Sequence, residues 1–271
     1  PLGMGCARSR RLDIKMNRKD AISFPLNVYS VLEGVIPFAF PRLPGIGCVF
    51  TTAGAGNLSL DVSLDSEGLR RTKASRHFLQ RRLEFDDWVE LKQVHGDKVL
   101  IYPEDTPFDE PSTLEADGAA TATPRRALVI KTADCQPILL AHKDGKHVAA
   151  LHVGWRGNVL EFPCSGVEAF CRAYDLRPED VLAVRGPSLG PGAAEFVNFE
   201  KEWPERFRPW FDEATRTMHL WELTRAALES VGLRRDNIFG LDLCTQSLPE
   251  LFFSFRRRDD VRQMSLIWIR E

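Results

Sequence analysis

Cys135 and His152 are the residues whose types and surroundings most readily do chemistry together. Cys135 closes Thr132-Ala133-Asp134-Cys135, just after the apolar run Ala127-Leu128-Val129-Ile130. His152 lies near the end of another apolar run, Val148 to Val153, before Gly154-Trp155-Arg156-Gly157. Between them stand a third run, Pro137 to Ala141, and the turn sequence Lys143-Asp144-Gly145-Lys146. Asp-Gly between apolar runs is a strong hairpin signal, because a two-residue turn of this kind needs φ > 0 at both positions. With Asp144-Gly145 as the loop, Leu140 faces Ala149, Ile138 faces Leu151 and Pro137 faces His152. Cys135 then shares a face with His152 on the diagonal, roughly 7–8 Å apart at Cα. A thiolate and an imidazole so placed can share one metal ion or one proton.

His95 ends the alternating stretch Trp88 to Val94 and precedes Gly96, at a strand end where scaffolds mount functional groups. Two His and one Cys form a three-ligand set that leaves zinc an open fourth position. Residue types and spacing alone favour a structural role for His95, since ligands on three separate elements give no regular interval. Asp134 either hydrogen-bonds a ligand His or caps the turn. Arg156 either holds phosphate or stacks on Trp155. His142 and His147 face each other across the turn and read as solvated.

The elements that must position these groups are strands and amphipathic helices in mixed order. Cys48 to Thr52, Val181 to Val184, Ile238 to Leu243 and Leu266 to Ile269 read as strands. Helices are expected over Ser66 to Leu83, around Val167, Phe170, Cys171 and Tyr174, and over about 200–211 and 219–232. Ala53-Gly54-Ala55-Gly56-Asn57 and Arg185 to Gly192 read as Gly-rich loops. Residues 1–44 are weakly patterned and read as an N-terminal arm, with a strand at Asn27 to Leu32; residues 45–271 read as one catalytic domain.

Among 271 residues, Lys plus Arg (36) nearly balance Asp plus Glu (38), so no global field draws nucleic acid or an anionic membrane. No apolar run approaches the roughly 20 residues of a transmembrane helix, and no secretory apolar region follows the basic N-terminus. Six cysteines without C-x-x-C read as reduced thiols, and the location as cytoplasmic. Pro1-Leu2-Gly3 reads as a cloning remnant. From Met4, Met4-Gly5-Cys6-Ala7-Arg8-Ser9 fits a myristoylation pattern; the plainer reading is a basic leader.

Several segments together resemble the YfiH family of laccase-domain proteins, also called multicopper polyphenol oxidases, which includes FAMIN-like purine nucleoside phosphorylases. They are Gln93-Val94-His95-Gly96, Ala116-Asp117-Gly118, Thr132-Ala133-Asp134-Cys135, His152-Val153-Gly154-Trp155-Arg156-Gly157, Gly186 to Pro191 and Phe252 to Arg257, in the family's order over about residues 45–270. The resemblance implies an α+β fold, a single domain layered helix/sheet/sheet/helix with mixed sheets. It implies zinc held by His95, Cys135 and His152, and it places Arg76 near the ligand. It implies phosphorolysis of adenosine, inosine and methylthioadenosine, with adenosine deamination as a side activity; a bacterial branch instead edits peptidoglycan precursors. The partners are then purine nucleosides and phosphate, with Arg76, Asp117, Asp134 and Arg156 as substrate-side candidates, and Asp117 or Asp134 as an acid/base for deamination. Ala53 stands where the family has Arg, and Ser75 where it has Asn. Copper oxidation of phenols is disfavoured, because six His include no H-x-H pair. A metal-free Cys/His hydrolase and a non-catalytic zinc module are the remaining alternatives.

Overall fold

A computed structural model describes residues 34–271; the Met4–Ser9 pattern and the expected strand at Asn27–Leu32 lie outside the described residues. In chain order the strands are β1 (Val35–Pro37), β2 (Ile46–Thr51), β3 (Asp87–Glu90), β4 (Val99–Ile101), β5 (Gly118–Thr121), β6 (Arg126–Thr132), β7 (Gln136–His142), β8 (Val148–Val153), β9 (Val181–Arg185), β10 (Phe211–Asp212), β11 (Thr217–Met218), β12 (Ile238–Gly240) and β13 (Gln263–Ile269). The helices are α1 (Ser66–Leu83), α2 (Trp155–Val159), α3 (Phe162–Tyr174), α4 (Phe199–Glu202) and α5 (Leu220–Ser230).

Two mixed sheets carry the molecule, one ordered β1-β2-β13-β6-β3 and the other β12-β9-β7-β8-β5-β4. Successive strand residues point to opposite faces, and here both faces are covered. Leu128, Ile130 and Ile267 of the first sheet meet Leu139, Ala141, Ala150 and Val184 of the second in a shared core. Their neighbours Ala127, Val129 and Leu266 face outward onto Leu79 and Leu83 of α1. On the far side, Ile138, Leu140, Ala149 and Leu151 pack on Phe162, Val167 and Phe170 of α3 and Leu228 of α5. The order is therefore helix, sheet, sheet, helix, and it explains why β6, β7 and β8 read as continuous apolar runs rather than alternating ones.

The hairpin register is as expected: Pro137 pairs with His152, Ile138 with Leu151 and Leu140 with Ala149. The turn differs. His142 N–H donates to His147 O at 3.0 Å and Gly145 N–H to His142 O at 3.0 Å, and Gly145 has φ +70 while Asp144 is not among the positive-φ residues. The loop is thus four residues, Lys143 to Lys146. It grows by one residue on each side of the same centre, so the pairing does not shift.

Residues 35–44, read as arm, belong to the folded body: β1 pairs with β2, and Ile36, Phe38 and Phe40 enter the central core. The helix expected over 200–211 is broken into α4 and a 3-10 turn at Glu205–Trp210, with Pro204 and Pro209 denying the ladder its N–H groups. The strand expected over Trp88 to Val94 ends at Glu90, where the chain turns toward His95.

Candidate metal centre

His95, Cys135 and His152 come together. Their ligand atoms all lie within 4.8 Å of one another. Cys135 Sγ stands 3.9 Å from His95 Nε2, and the two imidazoles are 4.8 Å apart edge to face. Each residue sits at or beyond a strand end: His95 beyond β3, Cys135 just ahead of β7, and His152 one residue from the end of β8. His95 adopts φ +59 and Asp134, before Cys135, φ +90, conformations that non-glycine residues seldom hold without outside support.

Asp117 supplies that support for His95. Its carboxylate accepts the N–H groups of Val94 (3.2 Å), His95 (2.9 Å) and Gly96 (2.6 Å). The same carboxylate takes His152 Nδ1 at 2.8 Å, and Asp117 O accepts His152 N–H at 2.7 Å. One fully buried acid therefore orients the His152 imidazole, holds the backbone of the His95 loop, and leaves Nε2 of His152 to face the site. Burial pushes the Asp117 carboxyl up, but the hydrogen bonds from His152, Gly96 and His95 outweigh it and hold it below the usual carboxylate range. Gly154 closes the site from β8: a Cβ there would come within 2.9 Å of His95 Cδ2 and 3.1 Å of Cys135 Sγ.

Burial pushes the Cys135 thiol up, yet His152 and His95 beside it bring it well below the usual thiol value. His152 is conversely held above the usual imidazole value: burial lowers it, but Cys135 and Asp117 outweigh burial. A ready thiolate, an imidazole with its far nitrogen anchored, and a second imidazole nearby form a donor set that suits a borderline metal ion. The set fits zinc through its own chemistry: sulfur and nitrogen donors, three in number, one fewer than the four zinc usually takes.

Residues 49–270 match the family model described as multi-copper polyphenol oxidoreductase laccase. The chain belongs to this family. Among its relatives is the purine nucleoside phosphorylase of Haemophilus influenzae, 30% identical over 81% of this chain and 93% of that one. Another is purine nucleoside phosphorylase YfiH of Escherichia coli, 35% identical over 67% of this chain and 73% of the relative. The fold is shared with YlmD from Geobacillus stearothermophilus (TM-score 0.77, 22% identity, 90% of this chain and 99% of that chain). It is shared equally with the Bacillus licheniformis protein YfiH (TM-score 0.76, 24% identity, 91% and 98%).

The other residues that family resemblance brought forward are placed differently. Asp117 is buried, and its carboxylate is taken up by His152 and by the backbone of residues 94–96. Asp134 neither binds a ligand His nor faces the site freely. Its carboxylate accepts Thr245 Oγ1 (2.6 Å), Ser254 Oγ (3.0 Å) and Arg256 N–H (2.8 Å), which ties the backbone ahead of Cys135 to the segment Phe252 to Arg257. Both carboxylates are thereby engaged within the protein. Arg76 is fully buried, ion-paired with Glu90 and stacked 4.5 Å over Trp88, so it presents no face to phosphate. Arg156 is exposed at the start of α2, its guanidinium 4.5 Å over Trp155; it stacks and still leaves its charge at the surface. Sequence reasoning missed Thr245, Ser254 and Gln93 as supports. Gln93 clamps the Lys131 backbone with two 2.8 Å bonds, two residues before His95. No residue type or interval in the sequence marks such supports.

Asp117→Asn keeps the shape but loses the charge and one acceptor, so metal affinity at this centre is expected to fall about 10- to 100-fold. Competition with a chromophoric chelator measures it, and an unchanged affinity removes Asp117 from the orienting role.

Proposed function

We propose that the chain is a zinc-dependent purine nucleoside phosphorylase, with His95, Cys135 and His152 as zinc ligands and adenosine deamination as a side activity. The observation that carries this reading is the convergence of the three ligand atoms on one braced site, in a chain whose relatives bear the phosphorylase name. Bound there, zinc supplies Lewis-acid chemistry at an open fourth position. Asp117 fixes the His152 proton on Nδ1 and directs Nε2 inward. The same acid, through three N–H groups, holds the His95 loop in its left-handed turn. Asp134 performs the matching task for Cys135.

Phosphorolysis joins a phosphate oxygen to C1′ while the bond from C1′ to the purine nitrogen breaks; the base leaves and takes up a proton. Inosine and phosphate thus give hypoxanthine and ribose 1-phosphate. An anionic nucleophile needs a cation, and exposed Arg156, two residues beyond Gly154, is the residue we assign to it. Phe255, exposed and one residue before the Arg256 N–H that holds Asp134, offers an aromatic face for the base.

The assay is inosine with and without phosphate in zinc-replete buffer. Hypoxanthine and ribose 1-phosphate are expected only with phosphate. No product, alongside turnover of a muropeptide precursor, would favour peptidoglycan editing instead. Arg156→Ala should cost about 1.5–3 kcal/mol if it makes a charge-assisted bond to phosphate, or roughly 10- to 150-fold in phosphorolysis. Deamination needs no phosphate and should suffer less, so an equal loss in both activities would count against this role.

Phenol oxidation by clustered copper finds no support in the arrangement of imidazoles. Among the described residues, the two groups able to hold a metal are His95/Cys135/His152 and His142/Asp144/His147. They sit at opposite ends of β7, whose five steps from Pro137 to His142 span about 16 Å at 3.3 Å per residue. That is too far for metals to act as one cluster. No helix of the described residues is long and apolar enough to cross a membrane.

A further inference from the structure

The β7–β8 hairpin carries imidazoles at both ends, and the far end has no part in the proposed chemistry. His142 and His147 were expected to be solvated. Instead their side chains are 11% and 21% exposed, and both direct Nδ1 at the same atom, Asp144 Oδ2, at 3.1 and 2.9 Å. We propose that His142, Asp144 and His147 form a second metal site, for a divalent borderline ion such as Zn²⁺, Ni²⁺ or Cu²⁺.

Four observations carry it. First, the three ligand atoms lie within 4.8 Å of one another. Ligands about 2.1 Å from a shared ion stand roughly 3–3.5 Å apart when they occupy neighbouring positions, and the nitrogen-to-oxygen separations of 3.1 and 2.9 Å lie at the short edge of that spread. Second, the carboxylate is already divided. Lys146 N–H takes Asp144 Oδ1 at 2.8 Å, and Oδ2 is the atom that both imidazoles face. Third, the rings are held. The Tyr174 ring of α3 lies 4.7 Å from that of His147, and the backbones of His142 and His147 are joined across the hairpin by the 3.0 Å bond described above. Fourth, Lys143, the cation beside His142, is turned away to Asp180 at 2.9 Å, so its charge is met there rather than at the site. Two imidazole nitrogens and one carboxylate oxygen favour a transition ion over Mg²⁺ or Ca²⁺, which take oxygen ligands. The longer four-residue turn builds the site. In the two-residue turn His142 and His147 would be an ordinary cross-strand pair, with Asp144 at the tip.

The test counts and distinguishes ions. Chelator-stripped protein is titrated with Co²⁺ and followed by absorbance, then with Zn²⁺ and followed by metal analysis after gel filtration. Two ions per chain are expected. One brings a thiolate-to-cobalt charge-transfer band from Cys135; the other brings only weak d–d absorbance. His147→Ala should lose the second ion and keep the thiolate band and nucleoside turnover. His142→Gln, which preserves size and polarity, should do the same. Cys135→Ala should lose the band and keep the second ion. A single ion per chain accompanied by the thiolate band, or two ions unaffected by both His147→Ala and His142→Gln, overturns the proposal. Because the thiolate band reports the other centre, failure of one assignment is distinguishable from failure of the other.

Discussion

Cys135→Ala is expected to empty the His95/Cys135/His152 centre and to lower phosphorolysis by more than the about 10- to 100-fold typical of losing an outer partner of a metal site. The thiol is the only sulfur donor in that centre, and it is the ligand that His152 and His95 hold in its anionic form. Without it, two imidazoles remain, and one of them rests on Asp117. The fold should persist, because Cys135 stands outside the buried clusters that join the layers. Circular dichroism and a thermal melt check the fold, metal analysis checks the ion, and the inosine assay checks turnover. A variant that keeps this ion, recognised by competition with the chelator used for Asp117→Asn, would refute the assignment of Cys135. A variant that loses the ion but turns over inosine normally would break the link between the metal and the reaction.

Glu90→Ala should produce the largest loss of stability. Glu90 is fully buried at the end of β3, where it accepts Arg76 Nη2 and, at 2.6 Å, Lys131 Nζ. Lys131 also reaches Asp61. Burial draws the Lys131 ammonium below its usual value against the pull of Asp61, and it brings the Arg76 guanidinium down to about 10. Arg76 Nε and Nη1 are buried and have no hydrogen-bond partner among the described residues, so Glu90 and the Trp88 ring are its main compensation. Removing the shared anion leaves two buried cations facing each other, with the partly exposed Asp61 as the remaining carboxylate beside Lys131. Loss of one partner of a buried pair costs about 3–5 kcal/mol. At roughly 2–4 °C per kcal/mol for a large domain, the melting temperature should fall on the order of 10 °C. The consequence extends to the candidate metal centre, because Gln93 grips the Lys131 backbone just ahead of His95. A melt within about 2 °C of the parent would show that the network carries little of the stability expected of such a pair. Arg76→Ala should act in the same way, lowering stability and reducing phosphorolysis and the proposed deamination in parallel, rather than acting on phosphate alone.

The parts of this protein legible in its sequence are those that local physics determines. Period and caps place α1 at Ser66–Leu83 as expected, with Asp65 accepting Gly68 N–H at its start. Apolar runs between Gly and Asp punctuation place β6, β7 and β8, and a turn centred on Asp144-Gly145 sets a register that carries Cys135 and His152 to one face. Two of the three ligands were therefore within reach of hairpin arithmetic, whereas His95 came from family resemblance. Short elements escaped. β4 and β5 hold three and four residues, and Gly118-Ala119-Ala120-Thr121 has neither alternation nor bulk to mark it as a strand. It is one only because β4 and β8 flank it.

Tertiary structure alone decided what each charged residue does. Arg76, Asp117 and Asp134 look alike in sequence, as polar residues within family motifs. Their roles depend on partners 14 to 122 positions away: Glu90 for Arg76, His95 and His152 for Asp117, Thr245, Ser254 and Arg256 for Asp134. A buried charge must find its counter-charge or hydrogen bonds wherever the packed layers bring them. That depends on how two sheets and their helices meet, which no interval along the chain encodes. Helix period, strand alternation and turn chemistry are properties of a few neighbouring residues, and so the sequence by itself could determine them.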